Sequence, residues 1–300
     1  MSGYNLDNLR ILWEFALDGI IFNPYIDSTI QYTGDYGVVN AKNDIVEAIY
    51  RTNNIKTMQI QIDAGKQDTQ FARTKAITID TFALLNTNLS LDAKICLYGY
   101  GDATTITPTY DQIKNQGTCL INTTKKQLCN NDEYQKDCIW CSPTEEIRKF
   151  RHWALYIEDL TNTSNYLEIG RLLGGQASIL IYDEKDGSTS FLDSIDFEEV
   201  SYIDRLDLNG FTSIANERAM KKKLFLSFEN MSQSSQNYKI LQRYWRYVRD
   251  TKKALIIPTP KVPTAFHVFS KLSEMPKQKI KYVEDIHIYV NFDLSYDEAK

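Results

Sequence analysis

Histidine occurs only three times in the 300 residues, cysteine five times and proline seven times. None of His152, His267 and His287 is near a Ser or Cys in a Gly-flanked elbow, so no nucleophile and base are spelled out in sequence. A phosphate loop is also missing, because the glycines of 170–175 lie in and after a strand-like run and no Lys-Ser/Thr follows them. Acidic residues pair at Asp183/Glu184/Asp186 and at Glu198/Glu199. The 183–187 stretch has its Gly one place early for a calcium loop and lacks the closing Glu, so it reads as a tight hairpin turn. No apolar run approaches the roughly 20 residues of a membrane span, and no basic segment followed by an apolar one opens the chain. Cations are not in excess: the net charge is -5, which argues against a general binder of phosphate backbones. Lys221–Lys223 and the cations between Arg243 and Lys253 read as solvated faces. With no positive case for an enzyme and no membrane insertion, the expectation is a soluble binding or assembly protein, held in a cytoplasm until it assembles.

What the chain does have is alternation. Its length suits about two domains, and its 43% apolar content is enough for each to bury a core. In Arg151–Glu158, Trp153, Leu155 and Ile157 share one face while His152, Tyr156 and Glu158 share the other. After a polar turn over 159–165, Leu167, Ile169 and Leu173 resume the pattern, predicting two antiparallel strands that pair, with Trp153 in the core. The same grammar marks 58–62, 77–85, 93–99, 223–228 and 286–292 as strands. Tyr238, Leu241, Tyr244, Trp245 and Val248 instead recur at helical spacing, predicting a helix from an N-cap at Ser232 to about Arg249. Leu9–Leu17 reads as a short helix or as an arm packing on a neighbour.

These elements predict a mainly β protein: a β-sandwich jelly roll with a second, small α+β domain. The boundaries are an N-terminal arm over 1–40, the sandwich over 41–175 with a cysteine-containing insertion at 101–146, and the α+β assembly domain over 176–300. The arm is expected to be dispensable for folding. Within the insertion, where alternation dissolves, Cys119, Cys129, Cys138 and Cys141 are the single site-like constellation. Four thiolates would hold a structural zinc, and a CxxC pair such as Cys138/Cys141 is the usual half-site. The 119/129 spacing is too wide for a second one, so disulfides and free thiols stand beside zinc as readings. Cys96, in a strand, reads as a small buried hydrophobe.

Three blocks in order resemble tailed-phage tail and tail-tip structural proteins that carry a discoidin-like (galactose-binding-like) β-sandwich. They are Ile79–Ser90, the 151–171 run ending Glu168-Ile-Gly-Arg171, and the C-terminal series of Lys223–Phe228, the helix, Leu255-Ile-Ile-Pro258-Thr-Pro260 and the strand ending Phe292-Asp293. The first departs from the family pattern with Thr87 where a His is common. The resemblance covers about two thirds of the chain. It implies a virion component in a tail or tail-tip/neck assembly, put together in the host cytoplasm, with other tail proteins and copies of itself as partners. A carbohydrate-binding module recognising a host surface glycan is the alternative, because such sandwiches also carry ligand loops at one end.

Overall fold

The computed structural model describes residues 8–13, 15, 21–24, 36–42, 48–63, 76–102, 108–143, 149–180, 191–200, 203–208, 212–217, 221–233, 235–248, 252–261, 263–264, 266–272, 277–283 and 287–297. Most of them lie in antiparallel strands. β2 (Ile21–Pro24), β4 (Thr57–Asp63), β6 (Lys94–Tyr100), β7 (Thr118–Thr124) and β9 (His152–Glu158) form a five-stranded sheet in the order β2-β4-β9-β6-β7. β3 (Tyr50–Arg51), β5 (Thr81–Thr87), β8 (Cys138–Cys141) and β10 (Glu168–Gly175) form a four-stranded sheet in the order β3-β10-β5-β8. The two sheets pack face to face as a β-sandwich. Met58, Ile60 and Ile62 of β4, Ile95 and Leu97 of β6, and Trp153, Leu155 and Ile157 of β9 meet Phe82 and Leu84 of β5 and Leu172 of β10.

A third sheet backs the sandwich. β1 (Leu9–Leu12), β11 (Ser178–Leu180), β12 (Phe191–Val200), β15 (Lys221–Ser232), β16 (Ala254–Ile257), β17 (Val268–Leu272) and β19 (His287–Asp297) run in the order β11-β1-β16-β17-β19-β15-β12, and β18 (Lys277–Val283) also pairs with β19. β13 (Ile203–Leu208) and β14 (Thr212–Glu217) form a separate hairpin. Leu12, Leu255, Ile257 and Phe269 of the third sheet pack on Ala83, Leu85, Ile139 and Leu173 of the four-stranded one. Its other face, with Ile11, Trp13, Ile256 and Val268, receives the helix α3 (Gln236–Val248) through Leu241, Tyr244 and Val248. Strands covered on both sides need apolar residues at every position, which is why Ala254–Ile257 and the Phe82–Leu85 stretch are continuous runs instead of alternations.

Three sequence expectations change. β9 and β10 do not pair: β9 lies between β4 and β6, and β10 between β3 and β5, so the two strands face each other across the sandwich. The turn between them is a corner from one sheet to the other. Asp159 accepts the backbone N–H of Ser90 at 2.7 Å and the amide of Asn162 at 3.1 Å, and that same amide donates to the Asn88 carbonyl at 2.8 Å. Leu9–Leu12 is a strand held between β11 and β16, neither a helix nor a free arm. The helix near the C-terminus begins at Gln236, and its N-cap is Ser235, whose hydroxyl accepts the Tyr238 N–H at 3.1 Å, three residues beyond Ser232. Trp153 is fully buried, as its place in the alternation predicts. The 183–187 turn lies outside the described residues.

The described residues of the insertion, 108–143 among them, are structured. α1 (Tyr110–Gln116) opens with a reciprocal capping box between Thr109 and Gln112 and lays Tyr110 and Ile113 against Ala154, Tyr98 and Tyr100 on the outer face of the five-stranded sheet. α2 (Lys125–Leu128) follows β7, and the chain then returns as β8, the edge strand beside β5. No helix among the described residues is long and apolar enough to cross a membrane.

Candidate binding groove

α2 ends in two successive asparagines in the left-handed region, Asn130 (φ 58°) and Asn131 (φ 67°), a conformation that asparagine tolerates better than most residues. They reverse the chain so that residues 130–135 run back over the edge strand β8. The Pro260–Thr264 segment after β16 approaches from the third sheet, and a groove of about 410 Å³ opens between the two walls. Trp140, half-buried, forms part of its floor, while Asn130, Asp132, Gln135, Lys261 and Thr264 supply polar groups. Tyr134, next to Gln135, and Phe266, two places after Thr264, are 85% and 45% exposed.

The walls are fastened to each other. Gln135 donates its amide to the Thr264 carbonyl at 2.8 Å, and the Thr264 hydroxyl donates to the Leu128 carbonyl. His267, buried, places Nδ1 3.0 Å from the Thr264 carbonyl and Nε2 2.8 Å from the Asp137 carboxylate. Both neighbours are acceptors, so both contacts are hydrogen bonds only when the ring carries two N–H groups and a positive charge. Burial opposes charge on Asp137, but the hydrogen bond and charge of His267 outweigh it and hold the carboxyl below the usual aspartate range. The other Asp137 oxygen accepts the N–H of Asn86, itself left-handed at φ 53°.

The four cysteines proposed as metal ligands do not converge. Cys119 is exposed on β7, Cys129 caps the end of α2, and Cys138 and Cys141 stand on β8. Three places apart on a strand, Cys138 and Cys141 point to opposite faces, one into the sandwich core and the other toward the third sheet. Burial pushes both thiols up to about 12 and raises those of Cys119 and Cys129, whereas zinc binds thiolates. Among the described residues no three His, Cys, Asp or Glu side chains gather as a metal site. Cys96 is buried on β6, as expected.

The face of β9 that carries His152, opposite the apolar one in the alternation, is not open to solvent at that residue. His152 is wholly buried, with Nδ1 3.7 Å from Asp63, which also accepts from Arg151 at 3.1 Å. The side chain of His287 lies outside the described residues. A second polar cluster is closed: the Arg51 guanidinium lies 4.2 Å from the ring centres of both Tyr36 and Tyr166 and donates to Glu168 at 2.7 Å. Sequence reading missed the groove because its walls come from segments some 130 residues apart. The Thr109–Gln112 capping box was the signal that the insertion folds, and it stands in the sequence as Thr-x-x-Gln.

No family model matches the chain, and no curated protein matches it. Among solved structures it is similar to the module CpGH89CBM32-5 from Clostridium perfringens, in complex with GalNAc-β-1,3-galactose. That likeness has 11% identity and a TM-score of 0.37, over 54% of this chain and 100% of the module. It is also similar to chitosan-binding module 1 of a chitosanase/glucanase from Paenibacillus sp. IK-5, at 9% identity and a TM-score of 0.37, over 54% of this chain and 99% of that one. A fucose-binding module of Streptococcus pneumoniae, SpX-3, aligns at 8% identity and a TM-score of 0.34, over 54% of this chain and 98% of that one. The sandwich itself is defined by its own sheet pairing and shared core.

Proposed function

We propose that the chain is a non-catalytic binding protein that takes a carbohydrate in the groove beside β8. The observation that carries this reading is the half-buried indole of Trp140 beside the amides of Asn130 and Gln135 and the carboxylate of Asp132. A sugar ring offers an apolar C–H face and a rim of hydroxyls. An aromatic ring suits the first, while amides, which donate and accept, and a carboxylate, which accepts at two oxygens, suit the second. The volume of about 410 Å³ falls in the range of small-molecule sites. Hydrolysis of a glycoside needs two flanking carboxyl groups, and Asp132 is the single acid among the described residues that line the groove. The test is titration calorimetry against a panel of neutral oligosaccharides. Trp140→Ala and Asn130→Gly, which keeps the left-handed backbone, are each expected to weaken binding at least about tenfold, a loss of some 1.4 kcal/mol, with the fold intact. A wild-type chain that binds no member of the panel, or that cleaves one, overturns the proposal.

A second reading, a virion tail component that carries this binding site, is favoured by the mounting of the sandwich. The sandwich is seated on the third sheet through an apolar interface, as suits a module built into a larger particle. Co-purification with tail proteins, or ring-sized oligomers in mass photometry, tests it. A chain that remains monomeric and enters no particle rejects it.

A further inference from the structure

We infer that the groove beside β8 is held to its shape by a proton on His267: the charged ring ties the Thr264 wall down and the neutral ring releases it. Ligand is then held more tightly below the pH at which the ring loses its proton than above it, a consequence that rests on the groove being the binding site proposed above. Thr264 is where the two walls meet. Its carbonyl accepts the Gln135 amide at 2.8 Å and lies 3.0 Å from His267 Nδ1, and its hydroxyl donates to the Leu128 carbonyl. Leu128 and Gln135 line the side built from α2 and the turn after it, and Thr264 lines the side that follows β16. His267 is buried at the foot of β17, so the ring fixes that second side to the third sheet.

One ring serves two acceptors. A carbonyl oxygen only accepts, so Nδ1 has to carry a proton to bond to Thr264. Nε2, 2.8 Å from Asp137, has to carry another, because the Asp137 carboxyl is held ionised below the usual aspartate range. A neutral imidazole has a single N–H. The bond to a charged acceptor is about twice as strong, so the proton that remains stays on Nε2. Nδ1 then turns a lone pair toward the Thr264 carbonyl at 3.0 Å, acceptor against acceptor, beside a ring that burial keeps from water. The carbonyl has to draw back, and its bond from Gln135 is disturbed with it. Among the described residues, Lys222 on β15 also bears on the pair, and its charge favours the ionised carboxylate. The other Asp137 oxygen is occupied by the N–H of Asn86. The Cys138 thiol beside Asp137 is pushed up to about 12 by burial and stays neutral near pH 7. Histidine is the side chain that ordinarily changes charge in that range.

The test is a titration of the full, isotope-labelled chain from about pH 5 to about pH 9, with no ligand present. Nuclear magnetic resonance reads the two ring nitrogens of His267, identified by their loss in His267→Gln. Acrylamide quenching reads Trp140, taken as the difference between wild type and Trp140→Phe. At low pH both ring nitrogens are expected to carry protons. As the pH rises Nδ1 is expected to lose its proton while Nε2 keeps one, and the quenching constant of Trp140 to rise at least about twofold with the same midpoint. In Asp137→Asn the side-chain amide can donate to a lone pair on Nε2, which leaves the neutral ring its proton on Nδ1 for Thr264. Quenching in that variant is expected to be flat with pH, and near-ultraviolet circular dichroism checks that it is folded. A ring that stays doubly protonated throughout, a neutral ring that keeps Nδ1–H, or Trp140 quenching that ignores the ring's titration overturns the inference on wild type alone. A pH response that survives in folded Asp137→Asn overturns it too. A chain that shows the transition but binds no oligosaccharide removes the carbohydrate reading and leaves the proton-held wall; a chain that binds without the transition does the reverse.

Discussion

At the scale of single residues, the two buried histidines explain what linear reading could and could not find. His152 stands on the face of its strand opposite the apolar one and His267 lies in no readable period, yet each meets an aspartate far away in sequence, Asp63 in one case and Asp137 in the other. Nothing local announces such a partner. Trp153, by contrast, was legible, since its neighbours two and four places on are apolar. Trp153→Ala removes the largest side chain of the sandwich core and an edge-on contact with Phe150 at 5.5 Å between ring centres, so it is expected to cost ~3–5 kcal/mol in a denaturant titration. Asp137 supplies a pH dependence. Its folded carboxyl titrates below the ordinary value of 3.8, so its contribution is complete above that pH and disappears as the pH falls below it. Asp137→Asn is expected to lower the melting temperature at pH 7 and to flatten its fall at acid pH. An acid limb identical to that of the wild type would show that the clamp stores no such energy. Gly117 closes α1 where an added Cβ would meet the Ile113 carbonyl oxygen at 2.3 Å, so Gly117→Ala is expected to destabilise the protein by ~1–3 kcal/mol in the same titration.

Among the elements, strands covered on one face were the readable ones. β4, β6 and β9 show period two because one face meets the core while the other is covered only in part, and their limits in sequence and structure agree closely. Partnership was less legible than existence. β9 and β10 follow each other through a short polar turn, a pattern shared by a hairpin and by a corner between two packed sheets. What distinguishes them is where Asp159 and Asn162 send their hydrogen bonds, to Ser90 and Asn88, and these contacts span some 70 residues. β8 escaped notice because four residues are too few to show a period and its cysteines drew attention to a metal. β1 also lacks a period, being apolar on both faces apart from Arg10, whose guanidinium donates to the carbonyls of Asp80 at 3.1 Å and Ser142 at 2.6 Å. An interior strand cannot be spared. Removing residues 1–13 is therefore expected to abolish the cooperative unfolding transition and the near-ultraviolet circular dichroism of the whole chain, and retention of both would return the segment to the status of an arm.

Across the whole molecule, the four-stranded sheet is a party wall with apolar contacts on each side. Its Phe82 and Leu84 belong to the sandwich core, and Ala83 and Leu85 belong to the seam with the third sheet. A single calorimetric peak is expected, because the sandwich cannot melt without stripping the seam. Two resolved peaks would mean that the seam contributes little. The sandwich also enters and leaves its mount through neighbours, since Ile11 of β1 is paired with Ser178 of β11 and everything between them is one excursion of the chain. Such adjacent ends are where one module can be exchanged for another with least disturbance to the host sheet. The seam sets the terms of exchange: any replacement must bring an apolar underside to cover Leu12, Leu255, Ile257 and Phe269. The sandwich can thus vary its loops and even its strand order, while the footprint on which it stands has to be kept.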